Sequence, residues 1–297
     1  MPKPQSILVT GSQGQVGQSF IRLAGQYPHY TMEFVDRTKL DLCQQEQVRQ
    51  YFQRNKFDLI INCAAYTAVD KAESDTAAAD AINHLAVKQL ATIAKEQNAK
   101  LIHISTDYVF NGQQYRPYVE TDPVDPQSVY GATKLAAEQA IMQTMENNAL
   151  IVRTSWVYSP TGSNFVKTML KLGAERDSLA VIYDQIGSPT YANDLAQAIM
   201  TVTQSKYFNQ AVFATEIYHY SNEGVCSWYD FAKAIFGESG LSCQVTPIET
   251  KDYPTAAKRP AYSVLNKRKI KQTFNLTIPY WRESLKMCLA ELQEKNR

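Results

Sequence analysis

Tyr130 and Lys134 stand four positions apart in Ser128-Val129-Tyr130-Gly131-Ala132-Thr133-Lys134-Leu135. The stretch opens a helical pattern, so both side chains leave one face. A phenol with a pKa near ~10 releases its proton poorly at neutral pH, and a cationic ammonium beside it favours phenolate and lowers that value. Such a pair suits protonation of a carbonyl oxygen while hydride reaches the carbon. Taken alone the spacing is weak, because such pairs also occur as solvated residues on amphipathic helices. Upstream, Ile104-Ser105-Thr106-Asp107-Tyr108 closes an apolar strand pattern, and ligands of open parallel sheets bind at the carboxyl ends of strands. Ser105 and Thr106 both offer a hydroxyl that could hold a substrate carbonyl; either could instead only close an ST-turn.

A second group of residues points to a dinucleotide. Thr10-Gly11-Ser12-Gln13-Gly14-Gln15-Val16-Gly17 follows the first strand run directly, giving G-x-x-G-x-x-G at a strand-to-helix junction. Glycines there let the backbone turn tightly and approach a pyrophosphate held by helix N-terminal amides. The spacing is similar to that of extended short-chain dehydrogenases. Asp36 ends the second strand run, where an acidic side chain accepts from ribose hydroxyls, and its neighbour Arg37 can pair with a 2′-phosphate. NAD and NADP both stay open. Asp41, followed by Leu42, lies where extended members enclose the adenine, and equally reads as a capping residue before the next helix.

The elements that must position these residues follow from periodicity. SILVT, MEFVD, LIINCAA, LIHIST and ALIVRTSWVY alternate with helical stretches such as EQVRQYFQRN and AVKQLATIAKEQN up to residue 158. Apolar strand runs between amphipathic helices predict an α/β, doubly wound parallel sheet of Rossmann type. The dinucleotide-binding domain is expected over 1–158, with 187–219 returning to it. Residues 159–186 and 220–297 would form a smaller mixed α/β substrate lobe, with 249–265 as loop. Thirty basic against 29 acidic residues leave a net charge of +1, which gives no field to hold nucleic acid or an anionic membrane. Neither a signal peptide nor a spanning helix is read at the start, so a cytoplasmic location is expected. Five scattered cysteines without C-x-x-C predict neither disulfides nor zinc. His29, His84, His103 and His219 are isolated from one another and from carboxylates at ligand spacing, so no histidine chemistry is expected.

GSQGQVG, NCAAYTAVDKAE, HISTDYVFNG, VYGATKLAAEQ, VRTSWVYSPTGSNFVKTM and DQIGSPTYANDLA, in this order over most of the chain, resemble the dTDP-4-dehydrorhamnose reductase family. The resemblance implies NADPH-dependent reduction, with NADH also accepted, of the C4 ketone of dTDP-6-deoxy-L-lyxo-4-hexulose to dTDP-L-rhamnose. It implies Thr106, Tyr130 and Lys134 as catalytic residues and Asp107 and Trp156 against the sugar, although Trp156 also reads as a core aromatic of the fifth strand. Cofactor contacts are expected from Gly11, Gln13, Gly14, Gln15, Val16, Gly17, Asp36, Arg37, Asp41, Leu42, Ala64, Ala65, Tyr66, Thr67, Tyr130 and Lys134. Asn83 resembles the helix asparagine of the wider superfamily. A homodimer fits the family, some of whose members are magnesium-bridged through glutamates. Gly17-Gln18-Ser19-Phe20 and Asn193-Asp194 lack those acidic ligands here, so no metal is expected. An epimerase would share the glycine turn and Y-x-x-x-K, and the regulatory subunit of methionine adenosyltransferase would share the fold without the chemistry.

Overall fold

Each apolar run supplies a strand, and those over Leu59–Asn62 and Ala149–Thr154 are buried along their whole length. A computed structural model of the chain describes residues 5–295, so Met1–Pro4, on which part of the leader reading rests, and Asn296 and Arg297 lie outside the described residues. The strands are β1 (Gln5–Thr10), β2 (Tyr30–Val35), β3 (Leu59–Asn62), β4 (Lys100–Thr106), β5 (Ala149–Thr154) and β6 (Glu216–His219). They lie in the order β6-β5-β4-β3-β1-β2, every pairing parallel. The order reverses at β1, and the crevice above such a switch point is where doubly wound folds take ligands. Side-chain alternation divides the core in two. Ile7 and Val9 join Phe20 and Leu195 on one face, while Leu8 joins Val48, Leu90 and Ala137 on the other.

The covering helices are α1 (Gln15–Leu23), α2 (Gln45–Arg54), α3 (Ala86–Gln97), α4 (Val129–Thr144), α5 (Phe165–Glu175), α6 (Ala192–Gln204), α7 (Trp228–Ser239) and α8 (Trp281–Lys295). Helix α6 brings Leu195 and Ile199 into the core of α1 and the sheet, and β6 extends that sheet beside β5. A separate core gathers Val166, Phe231, Ile235, Trp281 and Leu285 under a parallel pair of strands, Ser178–Ile182 and Gln244–Ile248. Ile270, Phe274 and Ile278 depart from the expected substrate lobe and pack on the sheet face instead. Among the described residues no helix is long and apolar enough to cross a membrane.

The run ALIVRTSWVY is broken rather than continuous. The Ser155 hydroxyl donates to the Ser188 carbonyl at 2.7 Å, and the Trp156 carbonyl accepts from the Thr190 amide at 3.1 Å. These bonds pull the chain off β5, put Trp156 at φ +48° and send Val157–Tyr158 to pair with Thr190–Tyr191. Trp156 is therefore not a core residue of the fifth strand.

Helix α4 is fixed over β4 and β5 by a buried ion pair. Arg153 on β5 donates to Glu138 on α4 through Nε at 2.9 Å and Nη2 at 2.6 Å, and the Ser105 hydroxyl donates to the same carboxylate. Both charged side chains are 2% exposed. Breaking such a pair leaves an uncompensated buried charge, which costs about 3–5 kcal/mol, whereas replacing both partners by apolar groups is often nearly neutral. Arg153→Met should therefore lower the urea midpoint sharply, and Arg153→Met with Glu138→Leu should recover most of the loss. A double variant no more stable than the single one would show that packing, not charge, dominates here.

Candidate active site

The glycine turn between β1 and α1 divides its three glycines by role. A Cβ on Gly11, at φ +66°, would meet the Ala64 amide nitrogen at 2.6 Å, and one on Gly17 would meet the Gly11 carbonyl oxygen at 2.4 Å. Those two are required by the protein itself. Gly14 has only the Gly11 oxygen near it, at 3.2 Å, and it caps α1 without any side-chain hydrogen bond. The amides of the first turn thus face open space next to a residue with no side chain, a cradle that fits an anionic pyrophosphate. Gln15 and Val16 keep their side chains elsewhere. Gln15 binds the Val157 carbonyl, the Ser159 hydroxyl and the Asn164 amide, and Val16 packs against the core, so their share in such a cradle is backbone.

At the carboxyl end of β4 strand alternation chooses between the two hydroxyls. Ser105 turns to Glu138, whereas Thr106 turns to the cleft, where its hydroxyl donates to Asp107 Oδ1 at 3.0 Å and acts on the Tyr130 phenol. Ser128 caps α4 by accepting from the Gly131 amide at 3.1 Å, which sets Tyr130 in the first turn. Burial pushes the Tyr130 phenol up to about 12, the Thr106 hydroxyl opposes this, and the Asp107 charge adds to it. The expectation that Lys134 lowers this pKa is not met in this arrangement. Lys134, 1% exposed, directs its Nζ to His103 Nε2 at 3.1 Å and to the Ile104 carbonyl at 2.6 Å. Burial pulls its pKa down to about 8. His103, of which no chemistry is expected, is thus a direct neighbour of Lys134, and burial holds its own pKa well below the usual histidine range.

Around the adenosine side the predicted residues divide. Asp36 accepts from the amides of Thr38 and Lys39, the Thr38 hydroxyl and Gln13 Nε2, which lowers its carboxyl to about 2. Arg37 is 85% exposed and pairs with Asp41 at 3.3 Å. Asp41 accepts from the Cys43 amide, so it closes the turn before α2 rather than capping the helix, which starts after Gln44. Leu42 is 5% exposed and packs in the core. Ala64 and Ala65 follow β3; Tyr66 bonds Asp75 through its hydroxyl, and Thr67 is exposed. Asn83 braces this loop, bonding both the amide and carbonyl of Tyr66 and the Thr133 hydroxyl.

Asp107 and Trp156, expected against the sugar, are held by partners that sequence reasoning missed: Trp228, Gly187 and residues 257–263. Asp107 is 2% exposed, its Oδ2 has no hydrogen-bond partner, and burial raises its carboxyl to about 6. The indole of Trp156 stacks on Trp228 at 3.6 Å, and a Cβ on Gly187 would strike it at 2.7 Å. Residues 257–263, read as plain loop, form a strap. The Ala257 amide and the Arg259 guanidinium bind Asp70, Pro260 sits on Gly112, and Ser263 lies beside Gly187. Nothing in local periodicity marks contacts this distant in sequence.

The sequence matches the family described as the RmlD substrate binding domain over residues 5–294. It is 41% identical to the spore coat polysaccharide biosynthesis protein SpsK of Bacillus subtilis, covering 96% of this chain and 97% of that protein. It is 40% identical to the dTDP-4-dehydrorhamnose reductase of Escherichia coli, covering 97% and 98%. The chain belongs to the dTDP-4-dehydrorhamnose reductase family. A solved reductase of this family from Bacillus anthracis, in complex with NADP, has a TM-score of 0.90 at 38% identity, over 97% of this chain and 99% of that one. Against the fold of the reductase family, the glycine cradle, Thr106 and Tyr130 occupy one crevice above β1, β3 and β4. Among the described residues no group of three or more His, Cys, Asp or Glu side chains could hold a metal ion.

The glycine analysis gives a direct test. Gly17→Ala should disturb the fold and lower the unfolding midpoint, whereas Gly14→Ala should fold normally and weaken dinucleotide binding at least tenfold in a fluorescence titration. Unaltered binding in Gly14→Ala would exclude close ligand approach at this position.

Proposed function

We propose that the chain reduces the C4 ketone of dTDP-6-deoxy-L-lyxo-4-hexulose to dTDP-L-rhamnose with NADPH. The reading rests above all on Thr106 closing β4 and Tyr130 opening α4 near the strand end that carries the glycine turn, where only Gly14 leaves the helix N-terminus open. A reduced nicotinamide supplies hydride to the ketone carbon when bound. Gly11, Gly14 and Gly17, with the amides of Gln13, Gln15 and Val16, would hold the pyrophosphate. Asp36, Arg37 and Asp41 would border the adenosine, and Ala64, Ala65, Tyr66 and Thr67 would flank the dinucleotide. Leu42 supports that border only from beneath.

Thr106 would donate to the ketone oxygen and Tyr130 would deliver the proton that converts it to hydroxyl. A phenol raised to about 12 is fully protonated at neutral pH, as an acid must be before it acts. Lys134 would bind ribose hydroxyls once its amine turns from His103. Asp107, with one oxygen unpartnered, suits a sugar hydroxyl, which donates. Trp156, held flat by Trp228, offers an apolar face to the ring. Because the substrate and NADPH are cytoplasmic metabolites, we infer that the reaction takes place there. The deciding experiment offers purified protein the dTDP-linked ketose with NADPH and with NADH, follows nicotinamide absorbance and identifies the sugar formed. Oxidation of neither cofactor would overturn the reading.

Tyr130→Phe should keep its unfolding midpoint and dinucleotide affinity while turnover falls about 10²–10⁴-fold, the usual contribution of a positioned acid. Near-normal turnover would remove Tyr130 from the reaction. Cofactor choice sets the exposed Arg37 against Asp36, whose carboxylate is already engaged by its own turn. Charge-assisted bonds contribute about 1.5–3 kcal/mol each. The preference between NADPH and NADH is therefore expected to stay within about 100-fold. Arg37→Ala should penalise NADPH more than NADH and Asp36→Ala should do the reverse, read from kcat/KM for both cofactors; ratios unmoved by either change would place these side chains out of reach of the ribose.

A further inference from the structure

The polar chain behind Lys134 has only one consistent assignment of protons. Asn62 Oδ1 accepts from the Ala64 amide at 3.2 Å and the Thr10 hydroxyl at 2.6 Å. A backbone amide can only donate, so the orientation of the Asn62 carboxamide is settled, and its NH₂ faces His103 Nδ1 at 2.9 Å. That nitrogen must accept. A neutral imidazole with an accepting Nδ1 carries its hydrogen on Nε2, and Nε2 lies 3.1 Å from Lys134 Nζ. An N–H directed at Nζ needs a lone pair there, which an ammonium does not have.

We propose that Lys134 has two mutually exclusive states: a neutral amine held by His103 Nε2–H, and an ammonium that must leave His103. In the first state its own N–H donates to the Ile104 carbonyl. In the second the proton comes from solvent, and Nζ turns towards groups that accept, which in the proposed reaction are the ribose hydroxyls of the dinucleotide. His103 is then a positioning residue. It holds the lysine while the amine is neutral and loses it when the amine becomes a cation.

The surroundings leave Lys134 as the group that changes charge. His103 faces it from β4 and is kept neutral by burial. Cys63, after β3, has its thiol pushed up to about 12 by burial, and Tyr130, one turn earlier on α4, is a phenol raised to about 12. Glu138, one turn later on α4, is engaged by Arg153. Burial lowers the pKa of Lys134 to about 8, so the neutral state prevails above that pH, where the geometry can be tested.

The second buried histidine is an internal reference. His219 Nδ1 faces the Tyr118 carbonyl at 3.1 Å, and a carbonyl only accepts, so His219 carries its hydrogen on Nδ1. Long-range ¹H–¹⁵N spectra of ¹⁵N-histidine protein prepared without dinucleotide, at pH 9, should show two buried neutral rings of opposite tautomer. Two Nδ1–H rings would overturn the proposal without any variant being made. The second measurement is the number of protons taken up when NADP binds at pH 9, from calorimetry in buffers of different ionisation enthalpy. Uptake approaching one per site, lost in Lys134→Met, is expected; binding without uptake would overturn the release step. This second step rests on the dinucleotide reading, and absence of any binding heat would count against that reading while leaving the tautomer result to stand or fall alone.

Discussion

Asn62 has one accepting oxygen and one NH₂ group, and four parts of the protein depend on how they are shared. Its oxygen receives Thr10, the last residue of β1 before the glycine turn, and the Ala64 amide that leads into the loop beside that turn. Its NH₂ group reaches His103 on β4 and through it Lys134 on α4. Both side chains are buried, Asn62 at 1% and His103 at 0% exposed, so neither can exchange a protein partner for water at little cost. The polar network therefore fixes the relative height of β1, β3 and β4 where their carboxyl ends meet, and that height is what brings a phosphate cradle and a proton donor into one crevice.

This arrangement carries its strain at the rim. Trp156 is one of few non-glycine residues at positive φ among those described, a conformation that costs about 1–2 kcal/mol. The Thr190–Trp156 backbone bond and the stack on Trp228 hold it there. Gly187 completes the device, because any side chain at that position would displace the indole. Outliers of this kind persist where the surroundings over-determine them, which is the case here.

Much of this was legible in the sequence. Five apolar runs gave five of the six sheet strands, and the Gly11–Gly17 spacing located the turn, because periodicity and glycine placement are local signals. Thr106, Tyr130 and Asp107 were legible as neighbours of a strand end. The choice of Thr106 over Ser105 came from the resemblance and not from the residues themselves, since physically it follows from which face of β4 meets Glu138. His103 was dismissed because its partners are not near it in sequence. Asn62 and His103 are opposite one another only in the β3–β4 register, a fact that exists once the sheet has formed. The split of ALIVRTSWVY was hidden for the same reason, since the bonds that turn the chain off β5 come from Ser188 and Thr190.

Asp70 and Arg259 are joined by two bonds across 189 residues. Contacts of such separation form late, since a long loop must be closed before they return any stabilisation. During synthesis every strand of the parallel sheet, from β1 to β6, leaves the ribosome before Arg259 does. A nascent chain can thus assemble the whole sheet and its glycine turn while the wall beside Tyr108 and Gly112 is still unmade. The crevice is closed by the last fifth of the polypeptide, which also supplies Ile270, Phe274 and Ile278 to one face of the sheet, so premature termination there would leave both the pocket wall and that core unfinished.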